Sequence, residues 1–439
     1  MARKLFGTDG VRGVAGEFVS AELALSLARA ATAQAGAERP QVLILRDTRE
    51  SGEMLQAALA AGVSAAGGDA LLAGVLPTPG APLLLDRYHL DLAVVVSASH
   101  NPYQDNGIKF FGGDGYKLTD DAELEIEREL ERDTHRPPEA IGHVGELRGA
   151  EEDYLRELHT RFAQLSLEGL DVLLDCANGA TYRVAPEIFR RLGARVSAIA
   201  DAPDGRNINA GCGSTHVQDL AQKVAGGGHD IGFAFDGDGD RVLAVDRSGA
   251  VVDGDELLAL AALHLQQQDK LHGRGVAVTV MTNFGFHRAM QQAGISVATT
   301  NVGDRYVLEE LRRRGWRLGG EQSGHIIDTE FNRTGDGVAS ALLTLEALAG
   351  RDLADRAAME RLPQRLVSVR VRDRDALEHA PAVSDAVRSA SEQLQGRGRV
   401  LVRASGTEPL VRVMVEAPSD DEAQDLCDGL AALVQRDLA

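Results

Sequence analysis

The chain reads as an α/β protein of several domains, and three features of the sequence carry that expectation. Short, nearly continuous apolar runs recur along it: QVLILRD (41–47), AVVVSA (93–98), DVLLDCA (171–177), ARVSAIA (194–200), IGFAFD (231–236) and GVAVTVM (275–281). Helical patterns separate these runs, so the strands should lie in sheets with parallel pairings, covered by helices on both faces. The length, 439 residues, exceeds one ordinary domain and supports about three or four.

Punctuation places the elements between those runs. Ser20 precedes an Ala/Leu-rich helix that stops near Gly36, and VAPEIFRRLGA gives another ending at Gly193, where glycine can take the left-handed conformation. The charged helix 120–133 runs into THRPPEAIGH, whose paired prolines remove amide donors and disfavour helix continuation. A first domain should therefore close near 150, giving 1–150. A second, 151–252, reaches the strands around DGDGDR and RVLAVD. DGDELLALAALHL opens a third, 253–363, and ERLPQRLVSVRVRD leads into a short fourth, 364–439. That last unit reads strand, helix, strand, the loop RASGTEP, strand, then a helix started by Ser419 with Glu422 placed for a capping box.

Composition excludes several classes. Lys and Arg number 46 against 66 Asp and Glu, and the net charge of −20 disfavours a polyanionic partner such as nucleic acid. A small anionic substrate stays open, since local arginines and backbone amides can build a positive pocket on an acidic protein. Cys176, Cys212 and Cys427 are scattered without CxxC spacing, which suggests neither a disulfide framework nor a zinc site and fits a reducing compartment. MARKLFGTDG has no apolar segment behind its basic residues, and no apolar run approaches the ~18 residues that cross a bilayer. The expectation is a cytoplasmic protein with no membrane partner.

Four polar loops carry the candidate chemistry. In IGFAFDGDGDRVLAVD (231–246), Asp236, Asp238 and Asp240 occupy every second position of a glycine-rich turn between apolar strands. Their carboxylates can converge on a hard divalent cation. An EF-hand fails, because its sixth loop position is Arg241 where glycine is needed and its twelfth is Arg247 where glutamate is needed. Mg²⁺ suits three carboxylates because it keeps positions open for water or a phosphate oxygen; a plain Asp/Gly hairpin turn is the bland alternative. The run AVVV ends in SASHNP, where Asn101 and Pro102 favour a turn and should expose Ser99 and His100. A serine is a weak nucleophile until a base, a cation or a phosphoryl group changes its chemistry, and spacing does not choose between Ser97 and Ser99. Asn106 and Lys109 follow this loop and can return toward it.

The third loop, RLGGEQSGHIID (317–328), gathers Glu321, Gln322, Ser323 and His325 among glycines that let backbone approach a ligand. The set suits a sugar, or a polar surface turn. The fourth, VRASGTEPLVRV (402–413), offers Arg403, Ser405, Thr407 and Arg412 around a glycine, the usual components of a phosphate cradle.

In this order and at these separations, FGTDGVRG (6–13), SASHNP, DGDGDR, EQSGH and RASGTEP resemble the α-D-phosphohexomutase superfamily along essentially the whole chain. NINAGCGSTH (207–216) and the Glu-Gln-Ser-Gly-His form of the sugar loop resemble the branch that acts on glucosamine phosphates. The resemblance implies four domains around one central cleft: three related mixed-sheet α/β domains and a smaller C-terminal α+β domain. It also implies interconversion of glucosamine 6-phosphate and glucosamine 1-phosphate through a phosphorylated Ser99 and a glucosamine 1,6-bisphosphate intermediate. That bisphosphate, or glucose 1,6-bisphosphate, would be the activator, and the product would feed UDP-N-acetylglucosamine and cell-wall precursors.

The same resemblance assigns expected roles. Asp236, Asp238 and Asp240, with a phosphoserine oxygen at Ser99, would hold Mg²⁺, and Arg12 and Arg241 would add positive charge beside the phosphoserine. Lys109 resembles the family's general base; an ordinary lysine is mostly protonated at neutral pH, so basic action asks for a lowered pKa, and simple phosphate attraction is its other role. His325 is a second acid/base group. His100 would bond either the phosphoserine or its own loop. Glu321 and Ser323 would contact sugar hydroxyls, while Arg403, Ser405, Thr407 and Arg412 would anchor the non-reacting phosphate. A homodimer is implied by the resemblance alone.

Overall fold

All six apolar runs form strands in the computed structural model, which describes residues 4–7, 9–132, 139–373, 375–404 and 409–438. Val11–Val14 (β1), Ala21–Gln34 (α1), Gln41–Arg46 (β2), Gly52–Ala65 (α2), Asp69–Val75 (β3), Gly80–Tyr88 (α3), Leu92–Val96 (β4), Asp105–Gly112 (β5), Asp120–Arg132 (α4) and Val144–Glu146 (β6) come first. Their six strands form one sheet in the order β1-β5-β4-β2-β3-β6. β2 lies parallel to β3 and β4, whereas β5 runs antiparallel to β4 and β1. Every residue of β4 is buried, as a strand covered on both faces requires. The start of the chain is tied down by Glu127 of α4, whose carboxylate accepts from the amides of Lys4, Leu5 and Phe6.

After Ala150–Arg161 (α5) come Asp171–Asp175 (β7), Val184–Arg191 (α6), Arg195–Ile199 (β8), Gln218–Gly227 (α7), Ile231–Phe235 (β9), Val242–Asp246 (β10) and Val251–Val252 (β11). They build a second sheet, β11-β10-β9-β7-β8, in which β7 is parallel to β8 and β9 while β10 turns back antiparallel to β9. Gly254–Gln267 (α8), Gly275–Thr279 (β12), Phe284–Gln292 (α9), Ser296–Thr300 (β13), Asp304–Arg314 (α10), Leu318–Gly320 (β14), Ile326–Asp328 (β15) and Gly337–Leu348 (α11) follow, with a third sheet β13-β12-β14-β15. Here β12 pairs in parallel with β13 and β14, and β15 turns back antiparallel to β14. The three sheets share one device: a buried strand ends in a polar loop and the chain returns antiparallel, and those loops are SASHNP, DGDGDR and EQSGH.

The chain gathers into two units, Met1–Val280 with Ser296–Arg356, and Met281–Ile295 with Ala357–Ala439. The second is the smaller. Its Gln364–Arg370 (β16), Pro381–Leu394 (α12), Arg399–Ala404 (β17), Leu410–Glu416 (β18) and Asp420–Leu438 (α13) reproduce the expected order, with an antiparallel sheet β16-β18-β17. Alternate residues Val411, Val413 and Val415 of β18 enter its core, and Ser419 Oγ accepts from the Glu422 amide at 3.2 Å as a helix cap. Helix α9 belongs to this unit: buried Glu416 accepts from the Phe284 amide at 2.9 Å and pairs with Arg399 at 2.9 Å. Among the described residues, no helix is long and apolar enough to cross a membrane.

One close backbone approach in the first core lies between α1 and α2. A Cβ on Gly62 would sit 2.2 Å from the carbonyl oxygen of Leu25 and 3.0 Å from the Ala28 Cβ, so glycine sets the spacing of the two helices. Gly62→Ala should push them apart and lower unfolding stability by about 1–3 kcal/mol. Urea unfolding checks this, and an unchanged midpoint would show that the helices separate freely.

Candidate active site

The loop after β4 is built by a neighbouring loop that follows β2. Arg49, completely buried, pairs through Nε with Asp47 at 2.8 Å, and its Nη groups donate to the carbonyls of Ser99 (2.9 Å), Asn101 (2.8 Å), Asp105 (3.0 Å) and Pro102. Ser97 Oγ donates to Asp47 at 2.6 Å and accepts from the Ser99 amide at 2.9 Å. Ser97 is thus committed to the loop, and Ser99 is left to face outward from it with left-handed backbone, φ 51°. Asn106, expected near this loop, bonds Ser51 at 2.8 Å instead.

The serine is not exposed as its turn residues predict; it is 1% accessible. The β9–β10 loop covers it. Ser99 Oγ donates to Asp236 at 2.6 Å, and Asp236, Asp238 and Asp240 are all buried with carboxylate oxygens within 4.8 Å of one another. Gly237 makes this approach possible, since a Cβ there would lie 2.6 Å from the Ser99 carbonyl oxygen. Asp238 accepts from Thr78 at 2.7 Å and Lys109 at 2.9 Å through one oxygen, but its Oδ1 and that of Asp240 are buried with no hydrogen-bond partner. Burial, then Asp240 and Asp238, push the Asp236 carboxyl up. Orphaned oxygens among converging carboxylates are the chemistry of a hard divalent cation site, and the three aspartates fit one.

Cations interleave with these acids. Lys109, opposite Val95 in the β4–β5 pair, places Nζ 2.9 Å from Asp238, 3.0 Å from Asp9 and 3.8 Å from Asp240. Lys117 bonds Asp9 at 2.5 Å and also Asp304; His325 lies 3.6 Å from Asp304 and 3.7 Å from Asp240. The result is a closed ring of alternating charge through Lys109, Asp9, Lys117, Asp304, His325 and Asp240. Burial alone would lower the Lys109 pKa, but Asp238, Asp9 and Asp240 outweigh it and hold the ammonium firmly. This is the reverse of the lowered pKa that a basic role asks of Lys109. Burial opposes the His325 imidazolium, whereas Asp240 and then Asp304 raise its pKa; its Nε2 accepts from the Gly335 amide at 3.0 Å, which leaves Nδ1 to carry the ring proton toward Asp240. His100 is the opposite case: burial, Arg241 and Arg12 lower its pKa, leaving a neutral ring whose Nδ1 is 3.4 Å from Ser99 Oγ.

Arg12 pairs with Asp9, and Arg241 lies 3.8 Å from Asp240; each has a buried Nε without a hydrogen-bond partner. In the β14–β15 loop, Glu321 is buried and accepts from the Gly303 amide at 3.0 Å, while Ser323 is exposed. In the second unit, Arg403 and Arg412 stand directly opposite across β17 and β18, and burial together with Arg412 lowers the Arg403 pKa. Ser405 and Thr407 lie outside the described residues. Sequence reading missed Asp9, Lys117, Asp304, Asp47, Arg49 and Thr78, which compensate or position the named groups from distant points in the chain.

Family models match in order along the chain: Phosphoglucomutase/phosphomannomutase alpha/beta/alpha domain I over residues 3–137, domain II over 152–249, domain III over 253–365, and the C-terminal domain over 366–433. The phosphoglucosamine mutase of Moorella thermoacetica is 52% identical over 97% of this chain and 98% of its own. That of Desulforudis audaxviator is 50% identical over 98% and 97%. The chain belongs to the phosphoglucosamine mutase family. Solved structures share the fold: a phosphoglucomutase/phosphomannomutase family protein from Burkholderia thailandensis has a TM-score of 0.82 at 23% identity, covering 99% of this chain and 98% of its own. Aspergillus fumigatus N-acetylphosphoglucosamine mutase, solved with GlcNAc-6P and magnesium, has a TM-score of 0.70 at 19% identity, covering 99% and 96%. The resemblance read from the motifs to the phosphohexomutases, and to the phosphoglucosamine mutase family among them, holds.

Helix α11 ties the aspartate loop to the fold, as the Gly337 amide donates to the Gly239 carbonyl at 2.9 Å. Its cap, Asp336, accepts from the Ala339 amide and the Tyr154 hydroxyl, and burial pushes its pKa up to about 6. A raised carboxyl pKa favours the fold while the group is neutral; that contribution is full below pH ~4 and lost as pH rises through ~6, about 3 kcal/mol in all. Relative to Asp336→Asn, the wild type should therefore lose about 2 kcal/mol of stability between pH 4 and 7. Urea unfolding at a series of pH values checks this; a constant difference between the two proteins would contradict it.

Proposed function

We propose that the chain interconverts glucosamine 6-phosphate and glucosamine 1-phosphate, with Ser99 as the phosphoryl carrier. One observation carries the assignment to Ser99: its hydroxyl lies 2.6 Å from Asp236 within the buried aspartate cluster, in a chain about half identical to phosphoglucosamine mutases over its whole length. In the first half-reaction the bond between phosphorus and Ser99 Oγ breaks and one to O1 of the sugar 6-phosphate forms. The O1 proton passes to a basic group and Oγ gains a proton, leaving glucosamine 1,6-bisphosphate. After the bisphosphate turns end for end, its 6-phosphoryl group returns to Ser99, so no phosphate is lost. The product supplies UDP-N-acetylglucosamine and cell-wall precursor synthesis in the cytoplasm.

The residues divide this work. Asp236, Asp238, Asp240 and a phosphoserine oxygen at Ser99 would hold Mg²⁺, which when bound supplies positive charge beside the transferring group. Arg12 and Arg241 bring fixed cations to the same group, their buried Nε–H groups unused by the protein. Lys109, held as an ammonium, attracts phosphoryl charge, and His325, between two aspartates, is the assigned acid/base group. His100, as a neutral ring, bonds Ser99. Glu321 and Ser323 meet sugar hydroxyls. Arg403 and Arg412, with Ser405 and Thr407, take the distant phosphate, the two arginines standing directly opposite each other across β17 and β18. The segments 1–150, 151–252, 253–363 and 364–439 each contribute one of the four loops. Glucosamine or glucose 1,6-bisphosphate primes unphosphorylated Ser99.

Initial rates with the 1-phosphates of glucosamine, glucose and mannose, with Mg²⁺ and the matching bisphosphate present, test this reading. Glucosamine 1-phosphate should be preferred, without release of free phosphate, and Ser99→Ala should lower kcat by about 10⁴-fold or more. Preference for glucose or mannose would overturn the substrate, and stoichiometric phosphate release would overturn the mutase. Chelation of divalent cations should abolish turnover and Mg²⁺ restore it; full activity without a divalent ion would refute the metal assignment.

A further inference from the structure

The segment NINAGCGSTH (207–216) takes no part in the reaction just described, yet it reaches the reactive loop. Asn209 is 7% exposed, and its side-chain amide donates to the carbonyls of Ser99 (2.9 Å) and Asn101 (3.0 Å). Arg49 donates to the same two carbonyls, so both lone pairs of each oxygen are taken. The Asn209 backbone amide is fixed in turn on the Ala177 carbonyl at 2.9 Å. Gly237 of the aspartate loop closes the stack, since a Cβ there would lie 2.8 Å from Asn209 Nδ2 and 2.6 Å from the Ser99 oxygen.

These contacts coincide with unusual backbone. Ser99, Ala177, Asn178 and Asn209 all have positive φ, 51°, 54°, 47° and 57°. Outside glycine such conformations are costly and persist where the surroundings over-determine them. Turning Ser99 to a negative φ would swing its carbonyl off both donors and move Oγ away from Asp236. We propose that Asn209 is a positioning residue for phosphoryl transfer: with Arg49 it locks Ser99 in the left-handed conformation that aims Oγ at Asp236. The proposal rests on Ser99 being the phosphoryl carrier.

Two substitutions separate positioning from folding. Asn209→Asp keeps the volume and the tolerance for positive φ but removes both donors; Asn209→Gly keeps the backbone conformation with no side chain. Both should lower kcat with glucosamine 1-phosphate by about 10–100-fold, the cost of a reacting group displaced by about 1 Å. KM should stay within about twofold, because the groups assigned to the sugar and distant phosphate are untouched. Loss of phosphate from phosphorylated Ser99 to water, followed by intact mass, should also change, which a general loss of stability would not cause once rates are referred to the folded fraction. If Asn209→Asp does not fold, Asn209→Gly decides. Wild-type kcat in the folded variants, a rise in KM alone, or a kcat deficit that vanishes on correction for unfolded protein would each overturn the proposal. Ser99→Ala run alongside distinguishes the failures: if it is inactive, only the role of Asn209 falls, and if it is active, the carrier reading falls first.

Discussion

Concentrated negative charge in a dry place is the constraint around which this structure is arranged. Three buried carboxylates with oxygens within 4.8 Å of one another repel strongly, and each has given up its hydration, an effective penalty of several kcal/mol per ion. The protein answers with a ring in which no like charges are neighbours, running through Lys109, Asp9, Lys117, Asp304, His325 and Asp240. The compensation is deliberately incomplete in its geometry, since Asp238 and Asp240 each retain an unbonded oxygen. A site balanced by fixed lysines would be stable but inert; one left wanting a cation on one side can take up charge from a ligand.

The ring also joins elements that are far apart in sequence. Asp9, Lys109 and Lys117 fall in the part of the chain matching the first family domain, Asp240 in the second, and Asp304 and His325 in the third. Each of those parts has a sheet whose antiparallel return loop reaches the common charge cluster, through Ser99, the three aspartates and His325. Repetition of one structural device thus presents three different sets of side chains, because the turn in each copy has its own sequence.

Much of this was legible in the sequence and some was not, for definite reasons. The strands were readable because burial on both faces demands unbroken apolar runs, as LAVVV shows. The aspartate loop was readable because its three acids are local. Solvent access at Ser99 was misjudged because turn residues report the shape of their own loop, not the loop from another sheet that covers it. Lys109 carried an unused signal: it shares its strand face with Phe111 while Ile108 and Phe110 take the other, and a lysine on a strand apolar on both faces needs acids nearby. Arg49 and Asp47 likewise follow an apolar strand, QVLILR, but nothing local tells that four carbonyls await the guanidinium. Asn209 is 110 residues from Ser99, and only the folded chain brings the two together.

The left-handed backbone at Ser99 bears on how this activity can be lost. Most replacements there would carry a Cβ in a conformation that side chains resist, whereas glycine adopts it freely and would keep the contacts of Arg49 and Asp47, losing only the bond from Oγ to Asp236. Because the loop is held through backbone carbonyls, its shape does not depend on the hydroxyl. The shortest path from an enzyme to a folded, phosphosugar-binding but silent descendant therefore runs through a single serine-to-glycine change. Such a descendant would keep every other motif, and its sequence would look active everywhere except at one position.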